Sequence, residues 1–161
     1  MQAFDKSAGP QPSKPGITYT IVSDYGGTIA LGNGSLNMPL IHFLLDAAEN
    51  GHTVYIATHG RVDPLEDSLE MACIKTKRKL PDNIKCVHKF DISKLDVDIA
   101  FDNEDFLYLK DGGASISNVK VDIWGNPSVP YEKLRRMTGT QDSPYAAITG
   151  TGLESPSPKN T

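Results

Sequence analysis

The order of apolar runs and amphipathic stretches along this chain predicts an α/β fold, a mostly parallel sheet with helices on both faces. Three observations carry that expectation. Short β-branched runs alternate with helical patterns between residues 17 and 125. The helical patterns carry recognisable start and stop signals. Polar residues recur where the apolar runs end, on the rim where parallel sheets hold their ligands.

Each element follows from its residues. "ITYTIVS" (17–23) is β-branched and aromatic, a good strand. "PLIHFLLDAAEN" (39–50) has Pro39 at the first helical position and Gly51 just past its end. Its Leu40, Ile41, Leu44, Leu45 and Ala48 form one wide apolar face. "HTVYIAT" (52–58) reads as a second strand. "DPLEDSLEMACIKTKRKL" (63–80) reads as a second helix, capped by Asp63, started by Pro64 and closed by Lys77, Arg78 and Lys79. "IKCVH" (84–88), "VDIAFD" (97–102) and "VKVDIW" (119–124) complete the strands.

The chain has 161 residues, enough for one domain with a real core. Residues 1–16 are rich in Pro, Gly, Ser, Gln and Lys and read as a disordered leader; 138–161 reads as a flexible tail, leaving 17–137 as the folded domain. A net charge of −4 argues against nucleic acid as an electrostatic partner. No apolar run approaches the ~20 residues of a membrane span, and no Sec-type leader is visible. With two cysteines in no metal spacing, these features point to a cytoplasmic protein.

Three strand ends carry oxygen-bearing residues: Asp24 with Thr28 beyond it, Thr58 followed by His59, Gly60 and Arg61, and Asp102 followed by Asn103, Glu104 and Asp105. A single such acid is an ordinary cap or turn former. Clustered carboxylates repel unless a cation lies between them, and hard oxygen ligands of this kind suit Mg²⁺. His42, on the first helix, and His52, opening a strand, read as structural or exposed.

At this point a resemblance becomes specific. "IVSDYGGTIAL" resembles motif I of the haloacid dehalogenase (HAD) superfamily, a strand followed by Asp-x-Asp-x-Thr; "HTVYIATHGR" resembles its motif II and "VDIAFDNED" its motif IV. The resemblance covers roughly 17–125 and implies a three-layer Rossmann-like core and a small, capless phosphatase-type member. It implies Asp24 as the nucleophile that forms an aspartyl-phosphate, Thr58 as the hydroxyl on a phosphate oxygen, and Mg²⁺ held by Asp24, the Gly26 carbonyl, Asp102 and Asn103, with Asp105 as a spare carboxylate. Thr28, Gly60 and Arg61 are the residues expected to face a substrate. The lysine of motif III is expected at Lys94, with Lys89 and Lys85 as alternatives.

Position 26 departs from the family. The phosphatases carry a second Asp there, which moves protons; Gly26 keeps a carbonyl and loses the carboxyl. General acid–base groups contribute roughly 10²–10⁴-fold in rate, so turnover of an alkyl phosphate should fall by about that factor. His59 is the nearest candidate to replace the missing acid, and Tyr25 could donate a hydrogen bond. Two readings follow: a Mg²⁺-dependent phosphohydrolase with an altered motif I, or a catalytically inactive domain of the same fold that works by binding, with its termini as recognition segments. The absence of room for a cap suits a phosphorylated substrate that is macromolecular or bulky.

Overall fold

A computed structural model describes residues 17–104, 117–149 and 152–153. Its centre is a five-stranded, all-parallel sheet built from β1 (Thr20–Asp24), β3 (Thr53–Thr58), β4 (Ile84–His88), β5 (Ile99–Asp102) and β6 (Ser117–Lys120). The spatial order is β4-β3-β1-β5-β6. The chain thus steps outward from β1 to β4, returns across the sheet and resumes on the other side of β1. That is the doubly wound order of Rossmann-like folds, whose switch point lies between β1 and β5. Two short strands, β2 (Ser35–Leu36) and β7 (Gly152–Leu153), pair antiparallel beside the loop that follows β1.

Pleating sends alternate residues to opposite faces, and the two faces are covered unequally. Ile21, Val54, Ile56, Ile99 and Phe101 pack with α1 (Met38–Glu49), α2 (Val62–Thr76) and α3 (Tyr131–Thr138) in one large core. Val22, Ala57 and Ala100 face the other way, against Ile92 and Val97 of the return connection. Right-handed crossovers require this split, because the outward and the return connections must use different faces. Among the described residues three α-helices cover one face, and a 3₁₀ segment, Lys89–Lys94, packs on the other.

Helix boundaries have local causes. Asn37 caps α1, accepting from the Leu40 N–H at 3.4 Å. Its amide also donates to the carbonyls of Thr28 and Gly125, joining the loop after β1 to the turn after β6. α2 ends at Lys77, whose φ of 60° is left-handed, so Lys77, Arg78 and Lys79 lie beyond the helix instead of in its last turn. Asp63 is inside α2 and its cap position is Arg61. Arg78 turns back to Asp46 on α1 at 2.7 Å, where Arg135 of α3 also binds at 2.8 Å.

The last strand is earlier than the sequence suggested, and Ile123 and Trp124 lie exposed in a turn. The fold also runs past residue 137. Thr138 and Thr140 are buried, and Tyr145 in a second 3₁₀ segment, Pro144–Ala147, stacks on His42 with centroids 4.7 Å apart. The leader 1–16 lies outside the described residues. No helix of the described residues is long and apolar enough to cross a membrane.

Candidate functional site

Asp24 ends β1 and Asp102 ends β5, neighbouring strands at the switch point of the sheet. Both are buried. Between them stands Lys89, its ammonium 2.8 Å from Asp102 Oδ2 and 3.3 Å from Asp24 Oδ1. The Thr28 hydroxyl donates to Asp24 Oδ2 at 3.2 Å, and the Glu104 N–H to Asp102 Oδ1 at 3.1 Å. Asp24 and Asp102, which the sequence placed at corresponding strand ends, are thus brought together by one cation of the chain itself.

The electrostatics follow from that geometry. Burial pushes the Asp24 carboxyl above the usual carboxylate range, and the Asp102 charge pushes the same way; Lys89 and Thr28 offset this only in part. Burial alone would lower the Lys89 ammonium, but its hydrogen bond to Asp102 and the nearby Asp24 charge hold it above its ordinary value. Lys89 is a fixed positive charge at any physiological pH.

Lys94 is excluded as the site lysine. Its side chain is 76% exposed and pairs with Asp91. Lys89 follows the last residue of β4 directly, and that position at a strand's carboxyl end is the signal that distinguishes it from the other lysines. Lys85 points away as an exposed residue within β4.

The remaining expected residues separate into groups. Thr28 is fully buried and holds the Asp24 carboxylate, so it orients that group and offers no surface to a substrate. Thr58 lies one register step beyond Ala57, the partner of Asp24, and its hydroxyl accepts from the Gly60 N–H at 3.0 Å. His59, Gly60 and Arg61 border a shallow cleft beyond it, together with His88. His59 turns towards His88 and Phe90, with ring centroids 6.5 and 6.4 Å away, and its carbonyl accepts from His88 Nε2 at 2.8 Å. Asp105 lies outside the described residues. His42 and His52 are both buried and structural: His52 joins the Tyr19 N–H to the Thr138 carbonyl, and His42 accepts from Arg78.

The glycines of the loop differ in kind. Gly27 has φ +83°, and a Cβ there would come within 2.8 Å of the Asn103 amide. Gly26 has ordinary backbone, and a Cβ built on it meets nothing within 4 Å. A Cβ is sterically admissible at 26.

Asn103 decides whether a cation fits. Turned with its amide nitrogen inward, it donates to Asp102 Oδ1 at 2.8 Å and to Asp24 Oδ2 at 3.1 Å. Turned with its oxygen inward, it leaves three oxygens at those same separations, a repulsive arrangement unless a cation joins them. Octahedral Mg²⁺, with ligands at ~2.0–2.1 Å, sets neighbouring oxygens about 2.9 Å apart. The two Asn103 separations, 2.8 and 3.1 Å, lie near that value, and two carboxylates suffice for an ion that retains water and takes substrate oxygens. Among the described residues no group of three or more His, Cys, Asp or Glu is gathered for a metal, so the fit rests on this smaller donor set.

Compared with family models, with curated proteins and with solved structures, the chain gave no match.

Proposed function

We propose that this chain is a haloacid dehalogenase-like domain with a Mg²⁺-assisted phosphohydrolase-type site on Asp24 that lacks its general acid–base residue at Gly26. The observation that carries the reading is the Asp24–Lys89–Asp102 cluster at the switch point between β1 and β5. A carboxylate nucleophile must be held rigidly and be available as the anion. Thr28 holds the Asp24 carboxylate, and Lys89 favours its anionic form. The Lys89 charge would also offset the negative charge of a phosphoryl group brought to Asp24. Asp24 Oδ2, Asp102 Oδ1 and the Asn103 amide oxygen would hold Mg²⁺, which supplies Lewis-acid polarisation of a phosphoryl oxygen when bound. Asp24 would attack phosphorus to form an acyl-phosphate as the ester P–O bond breaks and its oxygen leaves as the anion, water would then release phosphate, and the Thr58 hydroxyl would steady one phosphate oxygen. Nothing at position 26 protonates the leaving group.

Gly26 favours a second reading, in which the site binds a cation and a phosphorylated partner without turning it over. The two are separated by hydrolysis of an activated aryl phosphate with and without Mg²⁺, using wild type, Asp24→Asn and Gly26→Asp. The phosphatase reading expects Gly26→Asp to gain Asp24-dependent, Mg²⁺-dependent rate, by about 10²-fold or more. A silent Gly26→Asp, with Mg²⁺ still raising thermal stability through Asp24, selects the binding reading. Silence together with no Mg²⁺ effect on stability removes both.

A further inference from the structure

Apart from the strand-end acids, the molecule carries a cleft of about 640 Å³, within the ~300–1,000 Å³ span of small-molecule sites. Pro39 at the start of α1, Trp124 and Pro127 of the turn after β6, Tyr131 and Arg135 of α3, and Ile148 border it. Trp124 is 64% exposed although it is a large apolar ring. With the two prolines it gives the cleft flat, apolar walls.

Arg135 supplies the polar character. It is 4% exposed, and its Nη1 donates to Asp46 Oδ2 at 2.8 Å and to the Thr140 carbonyl at 3.0 Å. Nη2 and Nε have no acceptor among the described residues. They are not sealed in, because the only fully enclosed side-chain nitrogen or oxygen there without a partner is Tyr131 Oη. The cleft is the open space that Arg135 borders, so the unused edge of its guanidinium opens onto it. Tyr131 borders the same cleft through its ring; its hydroxyl is enclosed beside Asn37, and burial pushes that phenol well above its ordinary pKa. Glu132, the acid on the rim, is 83% exposed and turned to Arg136 at 3.7 Å, where solvent screens it.

A buried guanidinium with an unused donor edge, beside an aromatic wall, is complementary to a carboxylate on a flat ring. We propose that this cleft binds a small planar organic anion, its carboxylate on Arg135 and its ring against Trp124. The site uses none of the strand-end residues and stands whether or not those act on phosphate.

The test is calorimetric titration of the full chain with cinnamate and with its uncharged amide, cinnamamide. Cinnamate is expected to bind at least about tenfold more tightly than the amide, the ratio of one charge-assisted hydrogen bond. Trp124→Ala, at an exposed position, should weaken cinnamate by about fivefold while leaving the melting temperature unchanged. Ala146→Trp, which adds an indole to the lining of the cleft, should abolish binding. Asp24→Asn should bind cinnamate as wild type does. Equal binding of acid and amide, no cinnamate heat at millimolar concentration, or wild-type binding by Trp124→Ala overturns the proposal. Loss of binding in Asp24→Asn would move the anion to the strand-end site and overturn it equally.

Discussion

Lys89 and Asp102 meet at 2.8 Å across the carboxyl rim of the sheet, and the same ammonium reaches Asp24 on the neighbouring strand at 3.3 Å. One positive charge therefore serves two buried negative ones. Removing it as Lys89→Met leaves both carboxylates unpaired, a change that costs about 3 kcal/mol or more at neutral pH. The deficit should shrink towards pH 4, where the Asp24 carboxyl, held above its ordinary value, takes up a proton and one of the unpaired charges disappears. Urea unfolding at both pH values measures it; a deficit independent of pH would mean that the lysine acts by packing alone.

Asp24→Asn should act in the opposite sense. The folded chain holds this carboxyl above its ordinary pKa of 3.8, so folding is opposed by its ionisation as pH rises through that raised value. Without Mg²⁺ the variant should gain about 1 kcal/mol at neutral pH. It should also lose any stabilisation by Mg²⁺. Paired thermal melts of the two proteins with and without the ion give both numbers.

Gly26 and Gly27 should respond unequally to the same methyl group. Gly27→Ala forces a left-handed backbone on alanine and drives its Cβ into Asn103, so a loss of about 1–2 kcal/mol is expected. Gly26→Ala meets no atom and should stay within ~0.5 kcal/mol of wild type. Equal losses at both positions would contradict the loop geometry described above.

The buried cluster of Asp46, Arg78, Arg135 and His42 predicts a pH dependence of stability. Burial, then the Arg78 charge, lowers the His42 pKa below 6.5, and its Nδ1 accepts from Arg78 at 3.0 Å. The Asp46 charge opposes this and Arg135 adds to it, while Tyr145 stacks on the ring. The unfolded chain binds more protons than the folded one just below 6.5, so stability should fall as pH drops from 7 through that window. His42→Gln should flatten the curve there, whatever it does to absolute stability. Identical slopes in chemical denaturation between pH 7 and 5 would rule the histidine out.

Much of the sheet was legible because strands of β-branched residues bounded by polar ends announce themselves. "IKCVH" is β4 residue for residue. Asp24 and Asp102 were found by the same signal. Lys94 reads as the better candidate from its place shortly before the strand that carries Asp102, whereas the lysine that reaches both acids is Lys89, directly after β4. The Asp46–Arg78–Arg135 cluster could not be read at all, since its members are separated by 32 and 89 positions and meet only when three helices pack. The residues after 137 look unstructured in composition, and Tyr145 is held by His42 and by Arg78, whose guanidinium lies 3.8 Å from its ring centroid. Such contacts leave no periodic trace.

The unequal covering of the sheet bears on how the molecule can breathe. Three helices anchor one side, while the other is roofed, among the described residues, by a six-residue 3₁₀ turn that begins at Lys89 itself. Short 3₁₀ segments are weakly held, so this roof can lift while the helical layer stays in place. Each lifting carries the ammonium away from its two acids. Amide hydrogen exchange should therefore run faster across Phe90–Lys94 than in β1 or α1, and that same opening would discharge the rim.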